Sequence, residues 1–167
     1  MTVTTNPISA PTAQVWLREL AAARTAYEER LGWPVSMEVT ARCLTLGAGQ
    51  IVDALTVPTP LAAQAQTELE VMMLAGPVIA SPDGGSWTLL TDLATDVPHV
   101  PPDLDAAGVH AARRGEWLVL PPDLTAALQE GWHWIAPPPG RLPLPPWSVV
   151  VGATRRALSR QVAGTSW

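Results

Sequence analysis

Apolar positions recur at two periods along this chain, and the switches between them mark out its elements. Trp16, Leu20, Ala23, Tyr27 and Leu31 fall three to four residues apart, which places them on one stripe of a helix. Thr12 suits an N-cap, Gly32 ends the stripe and Pro34 forbids its continuation, so the pattern predicts a helix over about 12–31. Two short strands, 35–39 and 42–46, follow around Thr40 and Ala41. After a Gly-Ala-Gly turn at 47–49, a third strand spans 50–57 and carries Asp53. Thr59-Pro60 reads as a helix start with proline at the first helical position, and Leu61, Ala65, Leu69, Met72 and Met73 continue it toward Gly76. Strands at 78–81 and 87–91 flank Pro82-Asp83-Gly84-Gly85, a hairpin turn by composition.

Residues 92–107 are acidic, proline-rich and aperiodic, a surface loop or at most a short helix. An apolar strand at 116–120 then stops at Pro121-Pro122, and a second at 131–136 alternates Trp132 and Trp134 on one face around His133. These two strands are expected as a hairpin or as neighbours in one sheet, with a half-buried aromatic face. The run PPPGRLPLPP at 137–146 cannot be helix or central strand and should cross the surface as polyproline II. A closing helix at 147–161 turns Val150, Thr154, Ala157 and Leu158 inward and Arg155, Arg156 and Arg160 outward. With residues 1–11 and 162–167 as tails, 12–161 reads as one α+β domain. The expectation is a mixed or antiparallel sheet of about six strands, packed by helices 12–31, 60–74 and 147–161.

Composition narrows the classes. The chain has 167 residues, 47% of them hydrophobic, enough for a real core. No apolar run is long enough to span a bilayer, the first twelve residues lack the basic and apolar regions of a secretion signal, and Cys43 stands alone. A cytoplasmic protein with no membrane contact, no disulfide and no cysteine metal site is the expectation. All ten basic residues are arginine, there are eight tryptophans and no phenylalanine, and the net charge is −5. Strong nonspecific DNA binding draws on a basic excess, which this chain lacks as a whole; a local patch is still compatible with it.

Three segments in order resemble the prim-pol domain at the N-terminus of bifunctional DNA primase/polymerases, in the archaeo-eukaryotic primase superfamily. Residues 26–35 contain Leu31-Gly32-Trp33-Pro34-Val35, similar to that family's opening helix and Gly-Trp-Pro-Val strand. Residues 75–90, AGPVIASPDGGSWTLL, are similar to its Gly-Gly-x-His hairpin. Residues 108–138 run through Gly108-Val109, the basic turn Arg113-Arg114-Gly115 and the strand ending in Pro121-Pro122. The resemblance implies a reduced prim-pol-like core and a link to DNA replication.

The resemblance also says where nucleotidyl transfer would need its groups, because divalent metals must be held by carboxylates against the triphosphate. Asp53 matches the first of two aspartates on a strand, but Leu55 stands at the second, two residues on and on the same face. Trp87 replaces the histidine of the hairpin, and His110 replaces the third acid. The segment between Pro34-Val35 and the Asp53 strand is also much shorter than the family's. A catalytically inactive domain is therefore expected, with no catalytic residues, metal or cofactor. Asp53 is either a relic ligand or a structural carboxylate paired with an arginine, and Trp87 either fills the old cleft or stacks a base. An accessory or regulatory role would place single-stranded nucleic acid or a nucleotide on Arg113, Arg114, Arg141, Arg155 and Arg156, with Trp87 or Trp132 stacking. A protein-interaction or structural module using the Trp- and Pro-rich surface is the alternative; an active nucleotidyltransferase with shifted ligands ranks last.

Overall fold

The computed structural model describes residues 10–124, 130–141 and 143–165. Helix α1 (Ala10–Leu31) is followed by strands β1 (Ser36–Glu38), β2 (Cys43–Gly47) and β3 (Asp53–Pro58), and by helix α2 (Thr59–Val71). Strands β4 (Val78–Ala80) and β5 (Ser86–Thr91), helix α3 (Pro102–Ala106), and strands β6 (His110–Ala111), β7 (Trp117–Leu120) and β8 (His133–Ala136) lead to helix α4 (Trp147–Gly164). The fold is α+β. All strand pairs are antiparallel, in a three-stranded sheet β1-β2-β7 and a five-stranded sheet β6-β3-β5-β4-β8.

Alternation along the five-stranded sheet gives it two apolar faces and makes it the middle layer of three. Leu55, Val57, Val78 and Leu89 point to one side, where they pack with Leu61, Ala65 and Leu69 of α2 and Val150, Ala153 and Ala157 of α4. Ala54, Ile79, Leu90 and Trp134 point to the other, toward Leu20, Tyr27 and Leu31 of α1 and Leu44, Leu46 and Leu120 of the small sheet. All five stripe residues of α1 belong to this second core. Gly32 closes the helix at φ +70, its N–H bonded to the Glu28 carbonyl, a left-handed position where glycine carries no side-chain penalty.

One hydrogen-bonded node ties the second core together. The Tyr27 hydroxyl donates to the Pro121 carbonyl at 2.6 Å and accepts from Trp134 Nε1 at 3.1 Å. Trp33 stacks on Tyr27 with centroids 6.1 Å apart and lies 6.5 Å from Trp134. Burial drives the Tyr27 phenol far above its ordinary range, since phenolate would have to form away from water.

Several expectations are corrected. The strands near 116–120 and 131–136 are not partners: β7 pairs with β2 and β8 with β4, in different sheets. Sequence adjacency suggests the pair, but the apolar sequence of either strand suits both sheets, and β7 is taken by β2 and β8 by β4. The described strands number eight in two sheets, rather than about six in one. A fourth helix, α3, starts at a proline within the acidic segment. Residues 162–164, expected in a tail, continue α4; residues 1–9, 166 and 167 lie outside the described residues. Within 137–146 the described residues form neither helix nor strand. There Pro145 accepts from the Asp92 N–H and packs where a Cβ on Gly76 would sit. No helix among the described residues is long and apolar enough to cross a membrane.

Candidate functional site

Asp53 begins β3 and is wholly buried. Its Oδ2 accepts the Ala94 N–H at 2.7 Å and lies 3.9 Å from Arg114 Nη2, while Oδ1 has no hydrogen-bond partner. Arg114 also donates to the carbonyls of Ala94 at 2.9 Å and Asp96 at 3.0 Å. The guanidinium thus straps the acidic segment after β5 across the start of β3. Its course is set by Gly49, whose φ is +85 and whose missing side chain makes room for the Arg114 stem; a Cβ there would lie 2.6 Å from Arg114 Cγ. Of the two readings of Asp53, the observed contacts are those of a structural carboxylate paired with an arginine.

The other motif positions do not converge on it. Leu55 is fully buried against the α2–α4 layer, paired with Leu89 and Ala111, so a carboxylate there would sit in the helix-facing core. Trp87 pairs with Val57, four residues along β3 from Asp53, or about 13 Å at strand rise. Its half-buried indole packs against the same helix-facing core. His110 is exposed on β6 opposite Thr56, on the reverse face of the sheet. Among the described residues no group of three or more His, Cys, Asp and Glu side chains could hold a metal ion.

The candidate phosphate-binding arginines are scattered, and most are engaged. Arg155 pairs with Asp103 at 3.0 Å. Arg156 lies 3.9 Å from Glu68 and 3.5 Å from Met72 Sδ, and Arg160 also pairs with Glu68. Arg141 donates to the Glu29 carbonyl at 3.3 Å, at the far end of α1. Arg113 and His110 share an open hollow of about 510 Å³, but Asp105 and Glu116 line it too, and the Glu116 carboxylate already accepts the Arg113 backbone N–H. Trp132 packs against the α1 core and lines an apolar hollow of about 380 Å³ beside Cys43, Val119 and Leu120.

Two features escaped the sequence reading. The Arg114 strap reaches back to Asp53 at the start of β3, and its nearest signal in the sequence is the Gly47-Ala48-Gly49 turn. The second is an exposed apolar run, Val71-Met72-Met73-Leu74, where Val71 is 80% and Met73 86% exposed. The apolar periodicity predicts Met72 and Met73 within α2, but that helix ends at Val71, and Met73 adopts φ +57. Compared with family models, curated proteins and solved structures, the chain finds no match.

Proposed function

We propose that this chain is a prim-pol-like domain without nucleotidyl transfer, serving an accessory role through contacts with other protein. The observation that carries this reading is Asp53. The one aspartate at a motif position is sealed in the core and held by Arg114 and the Ala94 N–H, where it cannot present two oxygens to a metal. The dispersal of the arginines among internal ion pairs supports protein over nucleic acid as the partner. The Val71–Leu74 run adds exposed apolar surface of the kind found at protein contacts.

A second reading, single-stranded nucleic acid or nucleotide as ligand, is favoured only by the His110–Arg113 hollow. Fluorescence anisotropy of a labelled single-stranded oligonucleotide at low salt separates the two, run with and without Mn²⁺ and nucleoside triphosphate. The expected result is no binding at tens of micromolar and no primer synthesis. Micromolar binding that weakens steeply with salt and is lost in Arg113→Ala would replace this reading with the second. Binding that requires metal and triphosphate, and fails in Asp53→Ala, would restore the enzyme.

A further inference from the structure

One hollow of the fold is ringed by charge that the chain itself leaves unpaired. It encloses about 510 Å³ where α3, β6 and the turn into β7 meet, and Asp105, His110, Arg113 and Glu116 line it. Elsewhere in the described fold, opposite charges that meet form pairs: Arg155 with Asp103, and Arg156 and Arg160 with Glu68. Around this hollow they do not. Among the described residues no ion pair joins these side chains, and no hydrogen bond engages the Arg113 guanidinium, the His110 ring or the Asp105 carboxylate. The Glu116 carboxylate gives one oxygen to the Arg113 backbone N–H at 2.9 Å, a neutral group that leaves its charge unanswered.

The walls are fixed from behind. Leu104 of α3 is wholly buried and its carbonyl accepts the Val109 N–H at 3.0 Å, which sets Asp105 beside the start of β6. The turn is closed by the Glu116 N–H on the Arg113 carbonyl at 2.9 Å. It is docked by the Gly115 N–H on the Ala48 carbonyl, also at 2.9 Å. Val100, Val109, Ala111 and Thr56 complete the lining. A ligand entering here has side chains to order but no backbone, which keeps the cost of binding low.

We propose that this hollow binds a small zwitterion, one ammonium and one carboxylate beside an apolar group, as in a free amino acid or a short peptide. Arg113 takes the carboxylate with its planar fork, and His110 stands on the same strand end as a further partner. Asp105 and Glu116 take the ammonium. Val100, Val109 and Ala111 face the apolar part. The balance of charge makes the choice. One arginine against two carboxylates gives a polyphosphate as much repulsion as attraction. A simple anion leaves the acids unanswered, and a simple cation leaves Arg113 unanswered. A molecule carrying both signs answers both, and the volume lies within the range of about 300–1,000 Å³ found for small-molecule sites. This inference goes beyond the accessory role and does not depend on it.

Titration of the full chain with L-leucine, followed by saturation-transfer NMR, tests the assignment. For so small a ligand, dissociation near about 1 mM is expected. N-acetyl-L-leucine lacks the ammonium and L-leucinamide lacks the carboxylate, so each should bind at least roughly tenfold more weakly. Arg113→Gln should shrink the preference for leucine over leucinamide, and Asp105→Asn the preference for leucine over N-acetyl-leucine. Both side chains are exposed, so circular dichroism should stay unchanged. Either leucine or leucyl-leucine as the tighter ligand supports the site, the first marking a free amino acid and the second a peptide. No binding of either at tens of millimolar would overturn the proposal, as would blocked forms that bind as well as leucine. So would variants that keep both preferences in full, or adenosine triphosphate binding more tightly than leucine. None of these outcomes touches the Asp53 contacts, so failure here is distinct from failure of the accessory reading.

Discussion

Replacing Tyr27 by phenylalanine tests the central claim about what holds the smaller sheet to α1. The change removes one oxygen and keeps the ring that stacks on Trp33. That oxygen donates to the Pro121 carbonyl and accepts from Trp134 Nε1, both on buried residues. Each buried group left unpaired costs about 1–3 kcal/mol, and partial relaxation brings the expected sum to about 2–4 kcal/mol. At about 2–4 °C per kcal/mol for a domain of this size, Tm should fall by about 5–12 °C in scanning calorimetry. Trp134→Phe removes the indole donor, so the double change should cost less than the two singles combined. The node also carries a pH signature. Tyr27 is the single tyrosine of the sequence, and burial raises its folded-state pKa well above the ordinary value near 10. The unfolded chain loses that proton first, so the stability is fully present below about pH 10 and is lost as pH rises beyond it. Tyr27→Phe should lack this alkaline loss. A stability change below about 0.5 kcal/mol, or a phenol that titrates near 10 in the folded protein, would refute the node as described.

Other outcomes follow from the same contacts. Arg114→Ala leaves Asp53 buried with one N–H bond and unstraps residues 94–96. It should cost about 1–3 kcal/mol by denaturant titration, and Asp53→Ala added to it should cost less than its effect alone. Gly76→Ala should destabilise by about 1–3 kcal/mol, because its Cβ would lie 2.4 Å from Pro145 Cδ. Cys43, whose thiol pKa is raised by burial and then by Glu38, should react with iodoacetamide more slowly than a free thiol at neutral pH, and Glu38→Gln should speed it.

Local pattern determined much of this protein on its own. The α1 stripe, the hairpin around Gly84, the proline-led start of α2 and the inward Val150, Thr154 and Ala157 of α4 follow from period and punctuation, because each depends on residues within one turn or one loop. The absence of a second carboxylate two residues after Asp53 was equally legible. Tertiary structure decided what lies far apart in sequence. Pairing partners for β7 and β8 depended on which core claimed each strand, and the apolar sequence of either suits both. The state of Asp53 depended on Arg114, brought over it by a turn that only a glycine admits. Of the candidate phosphate-binding arginines, Arg155 and Arg156 are taken up in ion pairs, since Asp103 and Glu68 reach them only once α3 and α2 have packed on α4. Periodicity reports which side of an element is apolar; which surface meets that side is set by the packing of the whole chain.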